Sequence, residues 1–286
     1  MRIDLQRFRV PASRQLSLSR FDPTDTAPFE TKEDARKLLA KSVHHLYGLT
    51  ELLAAQSHRS VLFILQAMDG AGKDSAVKHV MRGLDPKVTQ VFAFKAPSAE
   101  ELKHDFMWRC MKALPERGRI GIFNRSYYED VLVPQVNPEA LNGQVESGNL
   151  EGVLQERFDD IRRIERYLTR NGTVIRKIFL NVSKAEQRRR FIVRLDDPAK
   201  RWKFSVNDLN TRLKWKHYMA AYEKVMRATS SEYAPWYVVP ADNKWFTRLV
   251  VARIAIDALE SLQLDAPQLS QKDLRLLRHA RRRLRA

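Results

Sequence analysis

The residues best suited to chemistry lie in a short loop of small residues that ends in a lysine. Residues 67–72 read AMDGAG and are followed by Lys73. This order nearly matches the phosphate-binding template of Gly, four residues, Gly, Lys and then Ser or Thr. Two positions depart from the template, because Ala67 replaces its first Gly, and Asp74 with Ser75 replaces its hydroxyl residue.

Such a loop binds anions mainly through its backbone, because small residues leave room for N–H groups around phosphate oxygens. A Gly-Lys pair is usually only a turn with a solvated lysine. Here an apolar run typical of a strand, residues 61–65, precedes the loop, and helical spacing follows it, which favours the phosphate site. The candidate phosphate-binding residues are Gly70, Ala71, Gly72, Lys73, Asp74 and Ser75.

Asp69 is the unusual member of the loop, because a carboxylate repels phosphate unless a cation or a proton donor lies beside it. We interpret Asp69 either as a magnesium ligand or as an orienting base.

A second polar group follows the apolar run 120–123. Enzymes with this kind of loop commonly carry a magnesium-supporting carboxylate at the end of a neighbouring strand, but Asn124 stands there. Glu129 and Asp130 are the nearest replacements, and the alternative is that they only favour the start of a helix. Arg125 could bind a phosphoryl group through paired hydrogen bonds, or form a surface ion pair.

A third feature is an arginine-rich helix. Arg190 and Arg194 are four residues apart and share one face, with Arg188 on an adjacent side. Like charges repel unless an anion bridges them, so the pattern suits a mobile lid that neutralises a transferring phosphoryl group. A solvated basic face is the alternative. Lys95 could extend this basic track on the other side of the loop.

The composition indicates a polyanionic partner. The 286 residues include 51 Lys and Arg against 34 Asp and Glu, a formal net charge of +17. Nucleic acid, an anionic membrane and polyphosphate fit this charge, and simple solubility is the alternative. The one cysteine, Cys110, excludes a disulfide framework. No apolar run approaches the ~20 residues that span a bilayer, and no signal peptide is visible, so we expect a cytoplasmic protein.

Strands and helices are predicted to alternate along the chain. The predicted strands are 61–65, 88–94, 120–123, 173–181 and 236–239, and the predicted helices are 33–53, the stretch from the loop to about 82, 98–111, 154–169, 183–196, 207–227 and 245–262. We expect an extended arm over 1–27 and a loop over 133–150. The alternation implies an α/β fold, with a parallel sheet covered on both faces and the phosphate loop at its carboxyl edge.

Five stretches together resemble the family 2 polyphosphate kinases. They are residues 66–74 (QAMDGAGKD), 94–98 (FKAPS), 123–133 (FNRSYYEDVLV), 201–204 (RWKF) and 234–242 (APWYVVPAD). Several motifs in one order are far more specific than the loop alone.

The resemblance implies a thymidylate-kinase-like fold with one phosphate-loop kinase domain over 28–263, including a lid over about 183–206. It also implies magnesium-dependent transfer of the terminal phosphoryl group of inorganic polyphosphate to AMP or ADP, forming ADP or ATP, in a homodimer or homotetramer. The tail, 264–286, has no counterpart in the resemblance, and we expect a basic arm for polyphosphate or a membrane surface, or a solvated helix.

Matching positions carry the family's site residues onto this chain. Asp69 and Lys73 correspond to the acid and the lysine of the loop, and Arg125 corresponds to the arginine at the strand end. Arg190 and Arg194 correspond to the lid arginines.

One motif departs from the commoner pattern of the family, in which Asp occupies the position of Asn124. The version Asn-Arg-Ser-x-Tyr-Glu-Asp is similar to the class III branch, which accepts both nucleoside monophosphates and diphosphates. This similarity implies that Glu129 and Asp130 lie near the metal or phosphate on the nucleotide side.

The mechanism that we expect is an in-line transfer dominated by positioning and charge neutralisation. Lys73 and the loop amides hold one anion, magnesium on Asp69 and Glu129 bridges donor and acceptor, and arginines stabilise the transferred group. An ATP-dependent nucleoside monophosphate kinase is the main alternative, since it would share the loop and the lid. A nucleic-acid-binding protein would not need Asp69 in the loop, so we expect no nucleic-acid partner.

Overall fold

The structure is a computed structural model that describes residues 3–12, 16–81, 84–141 and 149–285. Its centre is a parallel sheet of five strands in the order β2-β3-β1-β4-β5. The strands are β1 Ser60–Gln66, β2 Thr89–Ala93, β3 Ile120–Asn124, β4 Thr173–Asn181 and β5 Trp236–Pro240. Every residue of β1 is buried, as expected for a central strand of a sheet with both faces covered.

Ten α-helices accompany the strands in the described part of the chain. They are α1 Lys32–Gln56, α2 Lys73–Met81, α3 Trp108–Met111, α4 Glu129–Val136, α5 Leu150–Arg170, α6 Lys184–Asp196, α7 Val206–Leu213, α8 Trp215–Thr229, α9 Lys244–Glu260 and α10 Gln271–Arg283. Helices α1 and α2 pack on α9, whereas α4 and α5 pack on α8. Because β4 contacts both α5 and α9, the sheet lies between two helical layers. The predicted α/β fold is confirmed.

The strand order brings the predicted site residues to one edge of the sheet. Strands β1 and β3 are neighbours, and their register pairs Leu65 with Asn124. The loop that follows β1 and the turn that follows β3 therefore emerge side by side at the carboxyl ends of the strands, where ligands bind in folds of this class.

The single helix predicted over 98–111 is wrong except for its last turn, which is α3. Ser98 and Glu101 do form the reciprocal capping bonds, but only a short 3-10 turn, Glu101–Lys103, follows them. Asp105 then starts a new turn, because its carboxylate accepts from the N–H of Met107 and its carbonyl from that of Trp108.

The loop predicted over 133–150 is wrong in its first part, since α4 continues to Val136 with Pro134 inside it. A proline has no N–H, so it leaves the carbonyl four residues earlier without its helical partner. Here that carbonyl belongs to Asp130, and Arg157 donates to it at 2.8 Å. After α4 a 3-10 turn, Pro138–Leu141, continues the chain, and residues 142–148 of the predicted loop lie outside the described residues.

The single helix predicted over 207–227 is divided into α7 and α8. The break lies at Lys214, whose ψ of 19° departs from helical geometry. The Lys214 side chain donates to Asn137, which follows α4. This contact connects the break to the site-bearing part of the fold.

The two ends of the chain behave differently. Near the N-terminus, Val10 donates to the Trp236 carbonyl at 2.9 Å and Phe8 accepts from Val238 at 2.8 Å, so the arm lies along β5. At the other end, every described residue of α10 is exposed. No helix in the described ranges is long and apolar enough to cross a membrane.

Candidate active site

The loop after β1 takes the conformation that a phosphate cradle requires. Gly70 and Gly72 have φ values of +81° and +103°, a region that favours glycine. Lys73 turns back over the loop and donates to the Ala67 carbonyl at 2.6 Å. Burial lowers the pKa of the Lys73 ammonium, the charge of Arg125 lowers it further, and the charge of Asp69 opposes both. An arriving phosphate would offset this penalty on the lysine charge.

Helix α6 packs directly on this loop. A Cβ atom at Gly70 would lie 2.8 Å from the Phe191 ring, so only glycine fits there. Gln187 donates to the Asp69 carbonyl at 2.7 Å. The N-terminal half of the expected lid is therefore a wall of the site in this conformation.

Arg190 joins the loop to the strand at its back. One terminal nitrogen donates to the carbonyls of Gly70 and Ala71 at 3.1 and 2.6 Å. The other donates to the carbonyls of Ala241 and Asp242, after β5, at 2.6 and 3.0 Å. Its Nε donates to a carboxylate one helical turn earlier, so the buried guanidinium faces protein acceptors. The geometry makes Arg190 a positioning residue of the loop, and contact with a transferred phosphoryl group stays a prediction.

Arg125 lies between two carboxylates at the end of β3. One terminal nitrogen lies 2.6 Å from Asp69 and the other lies 3.5 Å from Glu129. Glu129, and then Asp69, raise the pKa of the Arg125 guanidinium against the effect of its burial. Its φ of +64° is a strained value for a residue with a side chain. The two ion pairs and an N–H bond to the Leu65 carbonyl at 3.0 Å hold it there.

The same corner offers oxygen ligands for a divalent cation. Asn124 donates from Nδ2 to Asp74 at 2.7 Å, while its buried Oδ1 has no hydrogen-bond partner. In the described ranges no three or more His, Cys, Asp or Glu side chains form a metal cluster. Magnesium is usually held by one or two carboxylates together with substrate phosphates and water. Asp69, Glu129 and the Asn124 oxygen fit that requirement.

Asp208 is a site residue that the sequence did not reveal. Burial and then the charge of Asp69 raise the pKa of its carboxyl group, so the two carboxylates interact electrostatically. It also lies 3.7 Å from Arg194, whose guanidinium is 5.6 Å from the Phe191 ring centre. Arg194, on α6, therefore lies between Phe191 and the α7 residue Asp208. An acid in a polar helix gives no sequence signal for this placement.

A buried ion pair supports the turn that carries Arg125. Lys177 and Glu165 are 2.6 Å apart and have no exposed side-chain surface. Tyr127 and Tyr128 donate to the same Glu165 carboxylate oxygen at 2.9 and 2.8 Å. The turn between Arg125 and Glu129 is thus fixed from inside the protein. A lysine in the middle of an apolar strand was the available signal for this network.

Of four other predicted residues, two have partners outside this corner and two have exposed side chains. Asp130 is buried against Arg109 at 3.5 Å, so its expected place at the metal or phosphate has no support in this geometry. Ser75 accepts from α9, because Arg248 donates to its hydroxyl at 2.9 Å. The side chains of Lys95 and Arg188 are exposed.

The model of the family described as "Polyphosphate kinase 2 (PPK2)" matches residues 30–267. The chain belongs to the polyphosphate kinase 2 family. It is 48% identical over 272 residues to the ADP-polyphosphate phosphotransferase of Rhodopseudomonas palustris, and the alignment covers 94% of each chain. It is 43% identical over 267 residues to the AMP/ADP-polyphosphate phosphotransferase of Meiothermus ruber, covering 92% of this chain and 96% of that one.

A solved structure of the polyphosphate kinase 2 family has the same fold. The crystal structure of polyphosphate kinase 2 from Arthrobacter aurescens TC1 matches with a TM-score of 0.85 at 42% identity, covering 94% of both chains. The resemblance inferred from the five sequence motifs is confirmed by these comparisons.

Replacing Asp69 with Asn tests the centre of the site. We expect turnover to fall at least about 100-fold, because the variant loses a charge that both orients Arg125 and could hold a cation. Steady-state kinetics measures the turnover, and circular dichroism checks that the variant is folded. Asp160→Asn, at a half-exposed position of α5, is the matched control. Activity within a fewfold of wild type would refute the role.

The buried carboxyl group of Asp130 should make the free energy of unfolding depend on pH. Burial raises the pKa of its carboxyl group to about 6, against the charges of Arg109 and Arg157, so the folded protein holds a proton that the unfolded chain releases near pH 4. The contribution of Asp130 to stability should therefore decrease as pH rises from 4 to 6. Relative to Asp130→Asn, wild type should lose about 1–3 kcal/mol of unfolding free energy between pH 4 and 7.

Urea denaturation at both pH values measures this double difference, and the same measurement on Asp160→Asn is the control. An increase in the relative stability of wild type with pH would contradict the account, because the ion pair with Arg109 would then outweigh burial.

Proposed function

We propose that this chain is a magnesium-dependent phosphotransferase that moves the terminal phosphoryl group of inorganic polyphosphate to nucleoside mono- and diphosphates. The observation that carries the proposal is the contact of Arg125 with both Asp69 and Glu129 beside the phosphate loop, in a member of the polyphosphate kinase 2 family. The net charge of +17 suits a polyanionic donor.

Each site residue has its own role in the proposed in-line transfer. The loop amides and Lys73 bind phosphate oxygens of one substrate, and Arg190 keeps the loop in shape for them. Arg125 donates to the oxygens of the transferred group, and Arg194 approaches the same space beside Asp208. Asp69, Glu129 and Asn124 would hold Mg²⁺, which neutralises phosphate charge during the transfer.

The acceptor range is the finer part of the proposal. The Meiothermus ruber relative is named for both AMP and ADP, whereas the Rhodopseudomonas palustris relative is named for ADP alone. The sequence motif of residues 124–130, which is similar to the class III branch, supports acceptance of both nucleotides. We further propose that the enzyme acts in the cytoplasm, and that it forms a homodimer or homotetramer, as its resemblance to the family implies.

Purified protein with magnesium, polyphosphate and AMP or ADP, but no added ATP, gives the direct test. We expect ADP and then ATP to form from AMP, and chromatography of the nucleotides measures both products. ATP from ADP alone would keep the polyphosphate reaction and remove AMP as an acceptor. ADP from AMP only when ATP is supplied would overturn the proposal in favour of an ATP-dependent nucleoside monophosphate kinase.

A further inference from the structure

Helix α10 carries a surface that the catalytic unit does not use. It lies beyond residue 267, where the family match ends, and a linker with exposed residues 265–270 precedes it. Ser270 and Asp273 form a capping box that fixes its start. A helix of 13 residues with no buried side chain is marginal in water, because packing normally supplies most of the stability of a helix.

The side chains of α10 and of the two residues that follow it, Leu284 and Arg285, separate into two arcs. At about 100° per residue, the basic residues share one side and the leucines share the other. The basic arc consists of Lys272, Arg275, Arg278, His279, Arg282, Arg283 and Arg285. The apolar arc consists of Leu274, Leu276, Leu277, Ala280 and Leu284, with Asp273 and Arg281 among them.

The leucines of this arc are open to solvent. Leu276 and Leu277 have 58% and 54% of their surface exposed, and Leu284 has 89%. A second copy of the helix is a poor partner for them, because α10 carries six Lys and Arg against one Asp and the two copies would repel. Polyphosphate would neutralise the basic arc and leave the leucines in water. An anionic bilayer surface matches both arcs at once, since headgroups pair with the arginines and acyl chains receive the leucines.

We propose that α10 is a binding site for an anionic lipid surface. The helix lies in the plane of the interface with the leucine arc inserted and the basic arc at the headgroups. The enzyme is thereby held at a membrane by a helix that does not span it.

Co-sedimentation of the full chain with vesicles tests the proposal. We expect binding to vesicles of phosphatidylglycerol and phosphatidylcholine, and none to phosphatidylcholine alone. The triple variant Leu274→Ser, Leu277→Ser, Leu284→Ser keeps every charge and should bind at least about tenfold more weakly. Tyr167→Ser, at a position of α5 that is 61% exposed, is the matched control and should bind as wild type does.

The leucine variant also separates lipid from polyphosphate. It should retain the affinity of wild type for polyphosphate and its full turnover with soluble substrates, because these leucines lie outside the site. Absence of wild-type binding to anionic vesicles would overturn the proposal. Equal vesicle binding by wild type and the leucine variant would also overturn it, because attraction would then come from charge alone, and polyphosphate would be the better partner of α10.

Discussion

The arrangement of the site depends on the guanidinium of Arg190. It joins the two carbonyls of Gly70 and Ala71 in the phosphate loop to two carbonyls after β5, and it does so from a buried position on α6. Backbone carbonyls repel phosphate, so a loop that binds anions must turn them away from its cradle. Arg190 donates hydrogen bonds to these carbonyls and so holds them away from the cradle. The N–H groups of the loop can then face the substrate.

The charges of the site are arranged around a second arginine. Arg125 pairs with Asp69 on the loop and Glu129 on α4, so one guanidinium links two elements that follow different strands. The buried pair of Lys177 and Glu165 holds the intervening turn from behind. Substrate phosphates and a cation would compete for these same groups. The protein contacts therefore hold these charges in fixed positions, which is the preorganisation that the proposed phosphoryl transfer requires.

Much of the fold was predictable, because buried parallel strands are continuous apolar runs and the helices repeat at helical spacing. The boundaries that failed depend on contacts distant in sequence, such as the bond of Arg157 to the carbonyl below Pro134. The loop, Asp69 and Arg125, which the structure brings together, were predictable as neighbours because local motifs after two strands encode them. Asp208 was missed because only tertiary packing brings α7 to the loop, and four-residue spacing could not show that Arg190 faces carbonyls while Arg194 does not.

Hydrogen exchange of the substrate-free protein tests the central claim most directly. The account predicts that amide exchange in residues 67–73 increases in Arg190→Ala and also in Arg190→Lys. The lysine variant retains the charge but lacks the planar set of donors. Exchange in the strands should stay as in wild type. Wild-type protection of the loop in both variants, together with lost turnover, would contradict the account and return Arg190 to direct contact with the transferred phosphoryl group.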